Sequence, residues 1–198
     1  MKKILVTLAL VAMTTGAFAQ NFGVRAGANL GNLNGWDADH FALNLGAYVG
    51  AVVDLGLPVA NLGVHFEPSF SMQGATRKGE NALGKWTENI ASDYVNVPIL
   101  IEYKLLGGDL ALMAGPQLGV CVGMNGSSKS GSTSINTQYN STDDYNAFDA
   151  GVTLGASYMV TPNVGVDLRW NLGLTNVSKA SNTNWNNRVI SIGASYMF

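Results

Sequence analysis

The sequence predicts an all-β fold, an eight-stranded antiparallel up-and-down transmembrane β-barrel. Three observations carry this prediction. Apolar and polar side chains alternate with period two in eight segments after residue 21, which is typical of strands with one apolar face. Short turns and long polar links alternate between the segments. Only 12% of the residues are charged and 24 of the 198 are glycine, whereas an average domain has about 25% charged residues and about 7% glycine.

A secretory signal peptide is predicted at residues 1–19. Lys2 and Lys3 give it a positive start, an apolar run follows at residues 4–13, and Ala17-Phe18-Ala19 has the small-x-small pattern of a signal-peptidase site. The apolar run is too short for a membrane-spanning helix, which needs about 20 residues. We therefore expect the chain to divide into this leader and one barrel domain at residues 20–198.

The eight predicted strands follow one another along the chain. They lie at 22–31, 43–54, 62–73, 94–104, 110–122, 148–158, 164–174 and 190–198. The turns after the second, fourth and sixth strands are short: Gly56-Leu57-Pro58, Gly107-Gly108-Asp109 and Thr161-Pro162-Asn163. The other links are long and polar, at 32–41, 74–93, 125–147 and 176–187. This arrangement is typical of outer-membrane barrels, with short turns in the periplasm and long loops outside the cell.

The charged side chains indicate which face of the strands is turned inward. A soluble barrel of the lipocalin type has the same alternation with its apolar face inside, but it would carry many more charges on its wet face. Here the charges share the polar face with small residues, which suit the narrow interior of an eight-stranded barrel. We predict a network of ion pairs that fills the lumen, formed by Arg25, His65, Glu67, Glu102, Lys104, Asp149, Asp167 and Arg169. The alternative is an ion-conducting path lined by the same side chains.

Aromatic residues near the strand ends predict that the apolar face meets lipid, because aromatic girdles mark both interfaces of membrane barrels. The predicted interface residues are Phe22, Tyr103, Tyr158, Tyr196 and Phe198 beside the short turns, and Phe41, Phe70 and Phe148 at the opposite ends. An open sheet edge in lipid would leave backbone N–H and C=O groups unpaired, so the last strand is expected to pair with the first. The predicted location is the outer membrane, with its lipid as the first partner.

Several short motifs resemble the PorT-like family of small outer-membrane barrels, which are similar in architecture to the OmpA and OmpX barrels. The motifs are Gly23-Val24-Arg25-Ala26-Gly27, the segment 66–75 (FEPSFSMQGA), the segment 94–100 (YVNVPIL), Gly115-Pro116 and the C-terminal Tyr196-Met197-Phe198. The resemblance implies a barrel in the outer membrane and recognition of Tyr196 and Phe198 by the barrel-assembly machinery. It implies no catalytic residue. One branch of the family assists protein secretion and gliding.

The interpretation favoured by the sequence is a monomeric structural scaffold that displays four surface loops to an extracellular or periplasmic protein partner. A small passive channel is the first alternative. A barrel enzyme is the second, because His40 lies near Asp37 and Asp39 in the first long loop, but a catalytic set also needs a nucleophile within hydrogen-bond reach. No cofactor and no metal ion are expected. A net charge of −2 gives no basic footprint for a nucleic acid.

Overall fold

The computed structural model describes residues 20–34, 41–81, 84–130, 133–138, 145–179 and 184–198. The predicted signal peptide and the loop with Asp37, Asp39 and His40 lie outside the described residues. The strands are β1 Gln20–Asn34, β2 Phe41–Gly56, β3 Leu62–Phe66, β4 Ser69–Asn81, β5 Gly84–Leu105, β6 Leu110–Ser130, β7 Thr133–Gln138, β8 Phe148–Met159, β9 Val164–Gly173 and β10 Asn186–Met197. Across these ranges, no helix is long and apolar enough to cross a membrane.

Eight strand positions are hydrogen-bonded in a closed antiparallel ring, which confirms the predicted fold class. β3 and β4 together fill one position, since both pair with β2 on one side and with β5 on the other. β5 pairs with β6, β6 with β8, β8 with β9, and β9 with β10. The ring closes where β1 pairs with β10, from Gly23 opposite Met197 to Asn34 opposite Asn186.

The break between β3 and β4 falls at Glu67 and Pro68. Proline has no N–H to donate to a ladder, and the chain is held here by other bonds: the Ala51 N–H donates to the Pro68 carbonyl at 3.0 Å, and the Glu67 N–H donates to the Pro98 carbonyl at 3.3 Å. His65 and Glu67 are both buried while the residues between and beside them are more exposed, so the alternation continues across the break. Glu67 is thereby held in the lumen.

The two ends of the barrel differ. Three short turns and both described chain ends lie at one end, which we call the turn end; the longer connections lie at the other, the loop end. The tight turns need left-handed backbone at Asn61 (φ 64°), Leu106 (φ 50°), Gly107 (φ 74°) and Gly108 (φ 111°). Phe198 is fixed beside the first strand, because its N–H donates to the Phe22 carbonyl at 2.8 Å.

Two of the predicted loops are largely strand. β4 and β5 continue as a hairpin to Asn81 and Gly84, and β6 continues to Ser130 and pairs there with β7. We call the residues 76–81, 84–92, 123–130 and 133–138 the loop-end sheet. β5 has 22 residues and β6 has 21, against 10 in β9, so the loop-end sheet projects beyond the barrel. Most of its residues are polar or glycine, and the apolar alternation that identifies the other strands is therefore missing.

The outward face of the barrel is apolar. Val49, Ile101, Leu154, Leu168 and Ile192 are among the large hydrophobic side chains that are exposed there. The predicted interface aromatics Phe22, Phe70, Tyr103, Phe148, Tyr158, Tyr196 and Phe198 are exposed as well, whereas the side chain of Phe41 lies outside the described part of the chain. Phe70 is the second residue of β4, which continues beyond it to Asn81, so Phe70 lies near the break between β3 and β4.

Candidate functional site

The lumen contains a central charge cluster, which we define as Arg25, His65, Glu67, Asp167 and Arg169. β1 supplies the first, β3 and the break after it supply His65 and Glu67, and β9 supplies the last two. All five occupy lumen-facing positions of the alternation, and each is at most 6% exposed. Charged groups withdrawn from water in this way persist when they are paired and hydrogen-bonded.

Glu67 is the centre of this cluster. Its Oε1 accepts a hydrogen bond from Arg25 Nη1 at 2.9 Å, and its Oε2 lies 2.6 Å from Arg169 Nη1. The second terminal nitrogen of Arg25 donates to Asp167 Oδ1. Two guanidinium groups therefore face two carboxylates, so that the four charges balance. The ring of strands brings together groups that are up to 144 positions apart in the chain, from Arg25 to Arg169.

His65 extends the central charge cluster toward the turn end. Its Nδ1 lies 2.5 Å from Asp54 Oδ1, and its Nε2 lies 2.9 Å from Arg169 Nη2 and 3.2 Å from Glu67 Oε2. A neutral ring that donates from Nδ1 to Asp54 can accept from Arg169 at Nε2. Asp54 is not among the side chains predicted for the network. The pairing of β2 with β3 would have identified this contact, because its register sets Asp54 directly opposite His65.

The predicted charges do not form one continuous network. Lys104 Nζ and Glu102 Oε2 are 3.7 Å apart and lie toward the turn end. Asp149 lies at the loop end of β8, where it accepts hydrogen bonds from Thr175 Oγ1 and, at 2.8 Å, from Asn187 Nδ2. Asp149 is separated from the central charge cluster along the barrel. Its partner Asn187 lies opposite Leu33 near the loop end of β1, whereas Arg25 lies in the turn-end half of that strand. The eight side chains of the predicted network therefore lie in three groups in the structure.

Tyr48 lies across the lumen against two glycines. A β-carbon at Gly193 would be 1.8 Å from the Tyr48 hydroxyl, and one at Gly27 would be 2.7 Å from it. The Arg25 guanidinium carbon lies 4.4 Å from the centre of the Tyr48 ring, a distance suited to a cation–π contact. These glycines therefore leave the room in which the Tyr48 ring lies against the Arg25 guanidinium.

A hydrogen-bonded layer of amides and hydroxyls covers the loop-end side of the central charge cluster. Asn29 Nδ2 donates to Ser71 Oγ at 2.9 Å, Ser191 Oγ donates to Asn29 Oδ1 at 2.7 Å, and Asn171 Nδ2 donates to Thr153 Oγ1 at 3.0 Å. The cavity within this layer is about 40 Å³, and each enclosed water needs about 10–15 Å³ on this measure. The layer thus holds a few water molecules at most.

The loop end of the lumen is filled by apolar side chains. This loop-end apolar cluster consists of Leu33, Ala75, Ile90, Tyr94, Cys121, Met124, Tyr145 and Val177, with Ala147 and Trp185 packed against it. Backbone hydrogen bonds hold the connections at this end together. The Asn146 N–H donates to the Val177 carbonyl at 2.8 Å, and the Val177 N–H donates to the Trp185 carbonyl at 2.7 Å. The free thiol of Cys121 is buried in this cluster.

A second cavity, of about 330 Å³, lies at the turn end. Arg25 and Arg169 line both this turn-end cavity and the small cavity of the amide layer, so the central charge cluster separates the two. In the part of the chain that the structure describes, no group of three or more His, Cys, Asp or Glu side chains could hold a metal ion. The lumen therefore consists of a turn-end cavity, a charged layer, a polar layer and an apolar layer.

A closed antiparallel ring with apolar side chains outside and ion pairs inside defines the class of outer-membrane β-barrel proteins. Residues 18–179 match the family model described as outer membrane protein beta-barrel domain. The chain belongs to this family and is a protein of the outer membrane. No curated protein matches the sequence.

Similar solved structures include other proteins of the outer membrane. Neisserial surface protein A is 15% identical, with a TM-score of 0.54 and coverage of 89% of this chain and 97% of that chain. A major outer membrane protein of Thermus thermophilus is 16% identical, with a TM-score of 0.49 and coverage of 91% and 100%. The outer membrane protease OmpT of Escherichia coli is 12% identical, with a TM-score of 0.43 and coverage of 93% and 99%. At these identities the similarity concerns the fold alone.

Proposed function

We propose that the protein is a closed, non-conducting scaffold that presents the loop-end sheet at the cell surface. The observation that carries this proposal is the filling of the lumen by three successive layers. An ion crossing the barrel would have to displace the ion pairs of Glu67, the amide layer and the loop-end apolar cluster in turn. An eight-stranded barrel has an interior that side chains can fill completely, and these layers do so from the turn-end cavity to the loop end.

The loop-end sheet supports the surface role. Its strands are paired by backbone hydrogen bonds, and its side chains are also in contact: Thr76 Oγ1 donates to Asn89 Oδ1 at 2.8 Å, and the Arg77 guanidinium lies 5.5 Å from the Trp86 ring centre. Ile135 is 61% exposed. Binding residues are often carried by connections that a rigid scaffold positions, and here the connection is itself a sheet. We infer that a protein partner would bind this surface.

The first test is electrical. The purified full-length chain, inserted into a planar lipid bilayer, is expected to show no steady conductance, because the layered lumen leaves no continuous water path. A porin inserted into the same bilayer provides the positive control, and a heat-modifiability gel verifies that the inserted chain is folded. A steady nanosiemens-scale conductance would instead support the alternative of a small passive channel.

The second test is the accessibility of the two ends in intact cells. Lys85 is an exposed residue of the loop-end sheet, and Leu106 is a 71% exposed residue of a short turn. In a Cys121→Ala background, Lys85→Cys is expected to react with a membrane-impermeant maleimide, and Leu106→Cys is expected to react after the outer membrane is made permeable. Labelling of Leu106→Cys but not of Lys85→Cys in intact cells would contradict the proposed presentation.

We also infer from its sequence motifs that the chain is a PorT-like barrel, a monomer that contacts outer-membrane lipid and is recognised by the barrel-assembly machinery. Tyr196 and Phe198 support the last point, because their rings contact each other edge to face at a centroid distance of 5.5 Å and both are exposed. Residues 1–19 are proposed to act as the export signal.

A further inference from the structure

The turn-end cavity contains buried carboxylate oxygens without hydrogen-bond partners. Glu102 is 5% exposed, it lines the cavity, and its Oε2 accepts no hydrogen bond from the described residues. Asp167 Oδ2 also accepts no hydrogen bond from the described residues, while Oδ1 of the same side chain accepts one from Arg25. Buried polar atoms are almost always hydrogen-bonded in native proteins, so these two oxygens are acceptors that a donor in the cavity could reach.

The nearest cation does not supply that donor. Lys104 Nζ lies 3.7 Å from Glu102 Oε2, beyond hydrogen-bond distance, and its side chain is 34% exposed. A partly exposed ion pair of this kind stabilises by only about 0–1 kcal/mol. Arg25 and Arg169 also line the cavity, but both are directed to Glu67. The terminal oxygen of Glu102 is therefore available to a further donor.

The charge around the cavity is negative. Its lining has three cationic side chains, Arg25, Lys104 and Arg169, and four carboxylates, Asp54, Glu102, Asp109 and Asp167. Glu67 adds a fifth carboxylate behind the two arginines. Even with His65 counted as a cation, the carboxylates outnumber the cationic side chains, and this negative excess favours a cationic ligand.

One wall of the same cavity is apolar. Met113 is the cross-strand neighbour of Glu102, and Ala111 is the neighbour of Lys104. Both are at most 4% exposed although they line the cavity. Met159 continues this wall on β8, the neighbouring strand, and Val52 adds an apolar side chain from β2. Methionine side chains adapt well to ligands of different shape.

We propose that the turn-end cavity binds a primary alkylammonium ion, that is, an ammonium group on a short apolar chain. The ammonium has three N–H donors and no acceptor, so it can donate to Glu102 Oε2 and to the carboxylate of Asp54. Its chain then lies along Met113 and Met159. The cavity volume of about 330 Å³ falls within the ~300–1,000 Å³ that is usual for small-molecule sites. The turn residues Gly107, Gly108 and Pro162 surround the entrance.

The test uses the full-length chain in maltoside micelles, labelled with ¹³C at the methionine methyl groups and titrated with n-butylammonium. The methyl signals of Met113 and Met159 are expected to shift in a saturable manner, while that of Met124 in the loop-end apolar cluster stays in place. Butyrate and tetramethylammonium are the matched controls, because the first reverses the charge and the second has no N–H donor. Equal shifts with either control, or no saturable shift with n-butylammonium, would overturn the proposal.

Variants distinguish the cavity from a general effect of charge. Glu102→Gln is expected to weaken binding at least about tenfold, as the loss of a charge-assisted hydrogen bond predicts. Glu88→Gln makes the same chemical change in the loop-end sheet and should leave the affinity unchanged. Lys104→Gln removes the competing cation and should tighten binding, and because Lys104 is partly exposed this variant tests the site independently of any folding defect in Glu102→Gln. Unchanged binding in both cavity variants would refute the site.

Discussion

Replacement of Glu67 by glutamine is expected to lower the free energy of unfolding by about 3–5 kcal/mol, the usual cost of removing one partner from a buried ion pair. Glu67 is 1% exposed and contacts both Arg25 and Arg169. The amide keeps the shape of the side chain but removes the charge that balances two guanidinium groups. It also turns one acceptor into a donor that faces an arginine.

The measurement is urea unfolding of the purified chain in lipid vesicles. Glu88→Gln is the matched control, since the same exchange in the loop-end sheet affects a side chain that is not buried. A second variant, Glu67→Gln combined with Arg169→Gln, restores the charge balance. Its loss of unfolding free energy should be less than the sum of the two single losses, because the effects of substitutions at contacting residues are not additive. Equal stability of Glu67→Gln and the wild type would show that the central charge cluster does not stabilise the barrel.

Replacement of Leu168 by arginine is expected to cost about 2–4 kcal/mol, the range found for a cation on the lipid face at the bilayer midplane. Leu168 is 55% exposed at the middle of β9, between the outward-facing Val166 and Trp170. The guanidinium group would have to leave water for hydrocarbon. Reversible unfolding in vesicles again gives the free energy.

The control for this prediction is an arginine placed at a different depth in the membrane. Val160 is 60% exposed and follows β8 at the turn end, so Val160→Arg places the same group near the interface, where the cost is about 0–1 kcal/mol. If the two arginine variants were equally stable, the outward face of β9 would not lie in the hydrocarbon region.

The sequence predicts the faces of the strands well and their contacts across the lumen poorly. In β9 the alternation of Val166, Leu168 and Trp170 with Asp167 and Arg169 is enough to assign every side chain to its face. It does not say that Asp167 meets Arg25, because that contact depends on two registers, β1 with β10 and β10 with β9. Those registers follow from the closure of the ring and not from any local pattern.

The loop-end apolar cluster is the part of the lumen that sequence reasoning missed. A bulge sets Asp93 opposite Gly123 but Tyr94 opposite Cys121, so that Val122 is an extra residue in β6. Beyond it the alternation is shifted by one position, and Met124 points inward. One inserted residue exchanges the two faces of a strand, and a period-two pattern continued from Cys121 assigns Met124 to the wrong face.

The pairing of β1 with β10 has a consequence for the order of assembly. Its partners are at least 152 positions apart, from Asn34 to Asn186, whereas the β5–β6 hairpin is joined by a tight turn and can form locally. Contacts between distant residues carry the largest loop-closure entropy and form late. The seam between β1 and β10 is therefore expected to close last, after the neighbouring hairpins have paired.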